Sequence, residues 1–166
     1  MSLSMHSSSV PVFKHFLTSL STILKKGAEF AAEKKIDEKV LTQARLYPDM
    51  FPLARQVQIA CDVAKGCAGR LAGMDLPKYD DNEVTFEELQ ARIAKTIAFI
   101  ESIPADKIDG TEQKQIKIQA GPRELEFIGD FFLRHWALPN VYFHVTTAYN
   151  ILRHNGVAVG KMDFLG

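Results

Sequence analysis

Apolar residues recur every three or four positions over the first part of the chain. Val12, Phe13, Phe16, Leu17, Leu20, Ile23, Leu24 and Ala31 fall on one side of a helix. Ser9 stands where an N-cap belongs, so the spacing predicts a long first helix over 9–35. A short helical piece follows over 37–46. Tyr47-Pro48-Asp49 then breaks the chain, because a residue before proline is pushed away from helical angles. Asp49 is the expected cap of the second long helix, and Pro52 is tolerated in its first turn, where the missing donor would have had no partner. Leu53, Val57, Ala60, Ala64, Ala68 and Leu71 form its stripe up to a stop at Gly73. With Gly66 and Gly69, this helix is rich in small residues, which allows either a close helix neighbour or a cleft.

Residues 74–83, with Pro77 and the Asp80-Asp81 pair, read as a loop. Thr85-x-x-Glu88 is a capping box with Val84 and Leu89 as its staple, so a third helix starts there. It carries Phe86, Leu89, Ile93, Ile97 and Ile100 inward and stops before Pro104. Beyond Gly110 the period changes to two. Residues 115–119 and 124–127 alternate about Ala120-Gly121-Pro122-Arg123 and predict a short hairpin. Gly129 opens the last helical region, with a lead-in over 130–138, a kink or restart at Pro139 and a left-handed stop at Asn155-Gly156. The pattern predicts an all-α four-helix bundle, one domain over 1–166, with a small β-hairpin between the third and fourth helices. The long second and third connections argue against a plain up-down-up-down ribbon.

Composition narrows the function classes. Twenty basic and twenty acidic residues cancel, so no global field attracts nucleic acid or an anionic membrane. No apolar run approaches the roughly 18 residues of a membrane span, and the start of the chain lacks the basic and apolar blocks of a leader. A cytoplasmic protein is expected. Cys61 and Cys67 are six apart on one helix, about 240° around it, and cannot pair with each other. Both read as buried thiols. There is no phosphate-cradling glycine loop, HExxH, GxSxG or dinucleotide fingerprint.

Pro48-Asp49-Met50-Phe51-Pro52-Leu53, Gln56-Val57-Gln58-Ile59-Ala60, Ala64-Lys65-Gly66 with Arg70-Leu71-Ala72-Gly73, and Phe143-His144-Val145-Thr146-Thr147-Ala148-Tyr149 with Leu152-Arg153-His154-Asn155-Gly156 carry a likeness that spans nearly the whole chain. In these residues the sequence resembles a domain-of-unknown-function branch of the DinB-like (DinB/YfiT-like) four-helix superfamily. The resemblance implies the bundle. In the wider superfamily three histidines bind a divalent metal, one from the second helix and two spaced HxxxH on the last, and some members are thiol-dependent transferases, isomerases or hydrolases.

This sequence departs from that pattern. Four residues after His144 stands Ala148, four before it stands Asn140, and the second helix has no histidine, offering only Gln56, Gln58, Cys61 and Asp62 near the expected level. A degenerate metal site is therefore expected, with no cofactor assigned, and zinc or nickel kept only as the alternative.

The plain reading of His144 is a buried imidazole hydrogen-bonded to a polar group of the second helix. The sharper reading is an interior polar cleft for a small ligand, lined by His144, Asn140, Gln58 and Asp62, with Thr147 on the same face as His144. Gln58 and Asp62 are one turn apart, which also fits a solvated face, with Lys65 pairing locally to Asp62. His135 lies about 180° from His144 on a straight helix, His154 suits the last turn of its helix, and His6 and His15 have no spaced partner. Two other readings compete: a metal-dependent, thiol-linked transferase or hydrolase, and a non-enzymatic interaction protein. A homodimer is expected, and in the interaction reading its helix-to-helix interface is the chief surface, because bundles expose apolar stripes that pair isologously.

Overall fold

A computed structural model of the chain describes residues 3–166. The first long helix, α1 (Val10–Lys34), follows a helical turn, and its Ser9 makes no side-chain cap. Instead the Ser9 hydroxyl donates back to the Met5 carbonyl at 2.7 Å. The expected cap is lost because the chain is already coiled before Ser9, leaving the hydroxyl nearer a preceding carbonyl than a following amide. Lys35 closes α1 in the left-handed region. In α2 (Glu38–Thr42) the Asp37 carboxylate caps the Lys39 amide. α2 then braces a distant helix start: Glu38 accepts from the Phe86 amide and Thr42 donates to the Val84 carbonyl, both at 2.9 Å.

The second long helix, α3 (Leu53–Ala72), is capped by Pro52 and not by Asp49, and Gly73 ends it at φ 71°. Asp49 falls in a tight turn closed by the Met50 amide on the Tyr47 carbonyl, so the helix begins three residues later than that aspartate could serve. α4 (Phe86–Glu101) starts at the predicted box, with Thr85 and Glu88 capping each other's amides. The short α5 (Ala105–Ile108) leads to a hairpin of β1 (Gln115–Ala120) and β2 (Arg123–Ile128), antiparallel, with Ala120 opposite Arg123 across the Gly121-Pro122 turn. Ile116 and Ile118 point into the core while their neighbours face out, as a period of two requires.

The region expected to kink at Pro139 is helical throughout. α6 (Gly129–Phe131) runs into a π-helical segment, Phe132–Ala137, and then into α7 (Leu138–His154). The widened turns lie just ahead of Pro139 and take up the proline's missing donor and ring without a break. α8 (Lys161–Leu165) folds back on α1, tied by Lys26 to Asp163 at 2.7 Å and by Phe164 against Phe16.

The bundle is formed by α1, α3, α4 and α7. α3 packs on α4 and α7, as does α1, so α1 and α3 stand on one diagonal and α4 and α7 on the other. The first and third connections therefore cross the bundle, and the second joins neighbours. This departs from an up-down-up-down ribbon, as expected for the third connection but not for the second. α3 is buried on nearly every side, which explains its small residues. Gly69 receives the Leu76 side chain of the following loop, and Gly66 receives the Arg70 guanidinium. Among the described residues no helix is long and apolar enough to cross a membrane.

Candidate functional site

His144 lies on the α7 face that meets α3 and is 8% exposed. Its Nδ1 is 2.6 Å from Gln56 Oε1. The Gln56 amide nitrogen donates to the Phe51 carbonyl at 3.0 Å, so the oxygen is the end turned to the imidazole and Nδ1 carries the proton. Burial pushes the His144 pKa down to about 4, and the nearby Arg55 charge adds to the effect. The ring is neutral at neutral pH, fixed in one tautomer, with the Phe143 ring edge-on at 5.2 Å.

The metal tripod implied by the resemblance does not fit these residues. At the level of His144, α3 presents a neutral amide whose oxygen is committed to the imidazole proton and whose nitrogen is committed to backbone. Ala148 has no donor atom, and the Asn140 amide donates to the Trp136 carbonyl at 2.7 Å. Among the described residues no three His, Cys, Asp or Glu side chains gather in a way that could hold a metal ion.

On another side of α3 stands a charged cluster built on Arg92. This guanidinium is 0% exposed. Its Nη1 donates to the Asp80 carbonyl and to Glu83, each at 3.0 Å, and its Nη2 to Asp62 at 2.9 Å and Asp81 at 3.2 Å. Burial works against its charge, but the carboxylates of Asp62 and Glu83 outweigh that and hold its pKa above the ordinary value. Gln58 donates to the other Glu83 oxygen at 3.0 Å and accepts from Arg55 at 3.2 Å. The Tyr79 ring lies under three cations, with Lys65 at 3.9 Å, Lys95 at 4.3 Å and Arg92 at 4.9 Å. This network clamps the α3–α4 loop onto the two helices.

The third feature is a cleft of about 290 Å³ between α3, the hairpin and the approach to α7. Ile59, Asp62, Val63 and Arg70 line it from α3, Ile118, Gln119 and Ala120 from β1, and Phe132, Trp136 and Asn140 from the π-helical segment and α7. Phe127 of β2 packs against both Phe132 and Trp136, with ring centres 5.7 and 5.4 Å apart, and so fixes the hairpin as one wall.

The four residues expected to line one interior cleft are thus divided. Asp62 and Asn140 share this cleft. Gln58 is spent in the Arg92 cluster and His144 on Gln56, and neither lines the cleft. The cause is helical phase: Gln56 and Gln58 are two residues apart, roughly 200° around α3, so only one can face α7. Lys65 does pair with Asp62, at 2.9 Å, and Thr147 returns its hydroxyl to the Phe143 carbonyl. Neither Arg92 nor Arg70 stands among the site candidates of the sequence. Arg92 had a signal, an arginine between Leu89 and Ile93 on the apolar stripe with Asp80, Asp81 and Glu83 just upstream. Arg70 had none.

The bundle with crossed connections, the short hairpin and the α3–α7 pairing at His144 define a DinB-like protein. A crystal structure of a DinB family member from Shewanella denitrificans is 43% identical to this chain, covers 97% of it and 91% of its own length, and superposes with a TM-score of 0.86. The family described as a domain of unknown function, DUF1993, matches residues 5–165, and the chain belongs to it. No curated protein matches it.

Proposed function

We propose that this chain is a small-ligand-binding member of the DinB family in which the superfamily's metal position has been given over to a fixed neutral pair, His144 and Gln56. The observation that carries the reading is the cleft that brings Asp62 of α3 and Asn140 of α7 together behind the hairpin, beside the Trp136 ring. An apolar recess with a few convergent polar groups is the usual form of a small-molecule site. The metal half rests on donor chemistry: one amide oxygen and one imidazole already bound to each other leave too few open donors for zinc or nickel.

Untagged protein purified without a metal-affinity step tests this directly. Elemental analysis is expected to find far less than one zinc or nickel per chain. One metal per chain, lost in His144→Ala, would overturn the reading in favour of a metal-dependent transferase or hydrolase.

A further inference from the structure

Among the described residues, the one cation lining the cleft, Arg70, has no ion-pair partner. Among the described residues the Arg70 side chain makes no hydrogen bond and no ion pair, although it is only partly exposed. Its guanidinium is laid along α3 over Gly66, where any β-carbon would collide with Nη1. The glycine leaves the room that the guanidinium occupies. The neighbouring charge is already balanced: Asp62 accepts from Lys65 and from Arg92, both at 2.9 Å. Trp136 also lines the cleft, and Asn140, its amide nitrogen held by the Trp136 carbonyl, keeps an oxygen open to accept.

We infer that this cleft takes a small organic monocarboxylate, its carboxylate paired with the Arg70 guanidinium and its apolar body laid against Trp136. The inference rests on the ligand-cleft reading above and adds the class of ligand. A planar fork of donors matches the two oxygens of a carboxylate. One unpaired guanidinium, with no second free cation among the lining residues, suits a monoanion better than a phosphate dianion. The volume, about 290 Å³, is at the small end of ligand pockets and admits a single ring or a branched chain. Burial lowers the Arg70 pKa only from a very high ordinary value, so the group stays charged at neutral pH.

Trp136 is the chain's one tryptophan, so its indole N–H signal reports the cleft without ambiguity. Three probes of like shape, 4-hydroxyphenylacetate, 4-hydroxyphenylacetamide and tyramine, are titrated at up to millimolar concentration while that signal is followed by NMR. The acid is expected to shift it saturably and to bind about tenfold or more tightly than the amide. Arg70→Met and Gly66→Ala are each expected to weaken the acid by a similar factor and leave the amide unchanged. Gly66→Ala keeps the charge, displaces the guanidinium and favours the helix, so it serves if Arg70→Met folds poorly. Amide or tyramine binding as well as the acid, or both variants binding the acid like the parent, overturns the carboxylate assignment and leaves the cleft reading standing. Failure of all three probes to move Trp136 overturns both.

Discussion

His144 and Gln56 meet across the α3–α7 interface with 2.6 Å between Nδ1 and Oε1, and a backbone carbonyl, that of Phe51, fixes which end of the amide faces the ring. One strand of hydrogen bonds thus links the start of α3 to the middle of α7. Protonation of Nε2 would leave this bond in place but change its setting. A doubly protonated ring still bonds Gln56, but it places a charge in a site that has excluded water and lies near Arg55.

The pH dependence follows. The folded pKa of His144 is depressed to about 4 from an ordinary value of 6.5, so between those values the unfolded chain binds a proton that the folded chain refuses. Stability from this group is complete above about pH 6.5 and is lost as pH falls toward 4, amounting to roughly 3 kcal/mol across the window. Urea unfolding of the parent and of His144→Asn at several pH values isolates this histidine's contribution: the parent should lose stability across the window more steeply than the variant. NMR titration of the His144 ring should give a midpoint near 4. A midpoint at ordinary histidine values would refute the account.

Arg92 makes a second prediction. Its removal strands Glu83, a buried carboxylate left with Gln58 and a distant Lys95, and frees Asp62 and Asp81 from the cation that gathers them. Breaking a buried pair from one side costs about 3–5 kcal/mol, more than the pair itself contributes. Arg92→Met should therefore destabilise by about that amount in urea, and adding Glu83→Leu should recover part of the loss. A single variant within about 1 kcal/mol of the parent would show that the loop clamp matters little.

How far the sequence could be read depends on what each feature rests on. α1, α3 and α4 were legible because their apolar residues keep a helical period, and the start of α4 because Thr85 and Glu88 are both needed for its box. The hairpin announced itself through Ile116 and Ile118. The order of helices around the bundle did not, since the length of a connection does not say whether it joins neighbours or crosses a diagonal. For the site, the sequence leaves His144 open between a buried imidazole bonded to a polar group of α3 and a residue lining a cleft, and it cannot separate Gln56 from Gln58 without the phase of that helix. Asp62 and Asn140 were placed at a cleft, but the cation facing them, Arg70, carries no pattern in one dimension. It acquires meaning only from the space left by Gly66 and the approach of the hairpin.

The junction of hairpin and helix gives a third prediction. Gly129 opens α6 with its α-carbon against the Thr111 carbonyl, and a β-carbon there would collide with that backbone oxygen and crowd Leu71 at 3.2 Å. Because the obstacle is backbone, no rotamer relieves it. Gly129→Ala should cost about 1–3 kcal/mol by overpacking. Gly160 is the control, since nothing lies within 4 Å of a β-carbon built on it, and Gly160→Ala should stay within about 1 kcal/mol of the parent. Equal effects at the two positions would mean that the contact yields.

The two thiols offer a test of the core. Cys61 and Cys67 are free, fully buried and on α3, the helix surrounded by the others. Burial pushes the Cys61 pKa up to about 12, against the smaller opposing effects of Thr96 and Arg92, and raises that of Cys67 as well. A thiol reagent needs both access and thiolate, and here both are withheld by the same packing. Disulfide exchange with an aromatic disulfide at pH 8 should therefore label neither cysteine on mixing, while both react at once in denaturant. In the native protein the two should react together at a slow rate that rises with urea along the global unfolding curve, because both are fully enclosed by the packed bundle. Rapid labelling of one thiol alone would instead reveal a local opening of α3, and its position would tell which neighbouring helix had moved away.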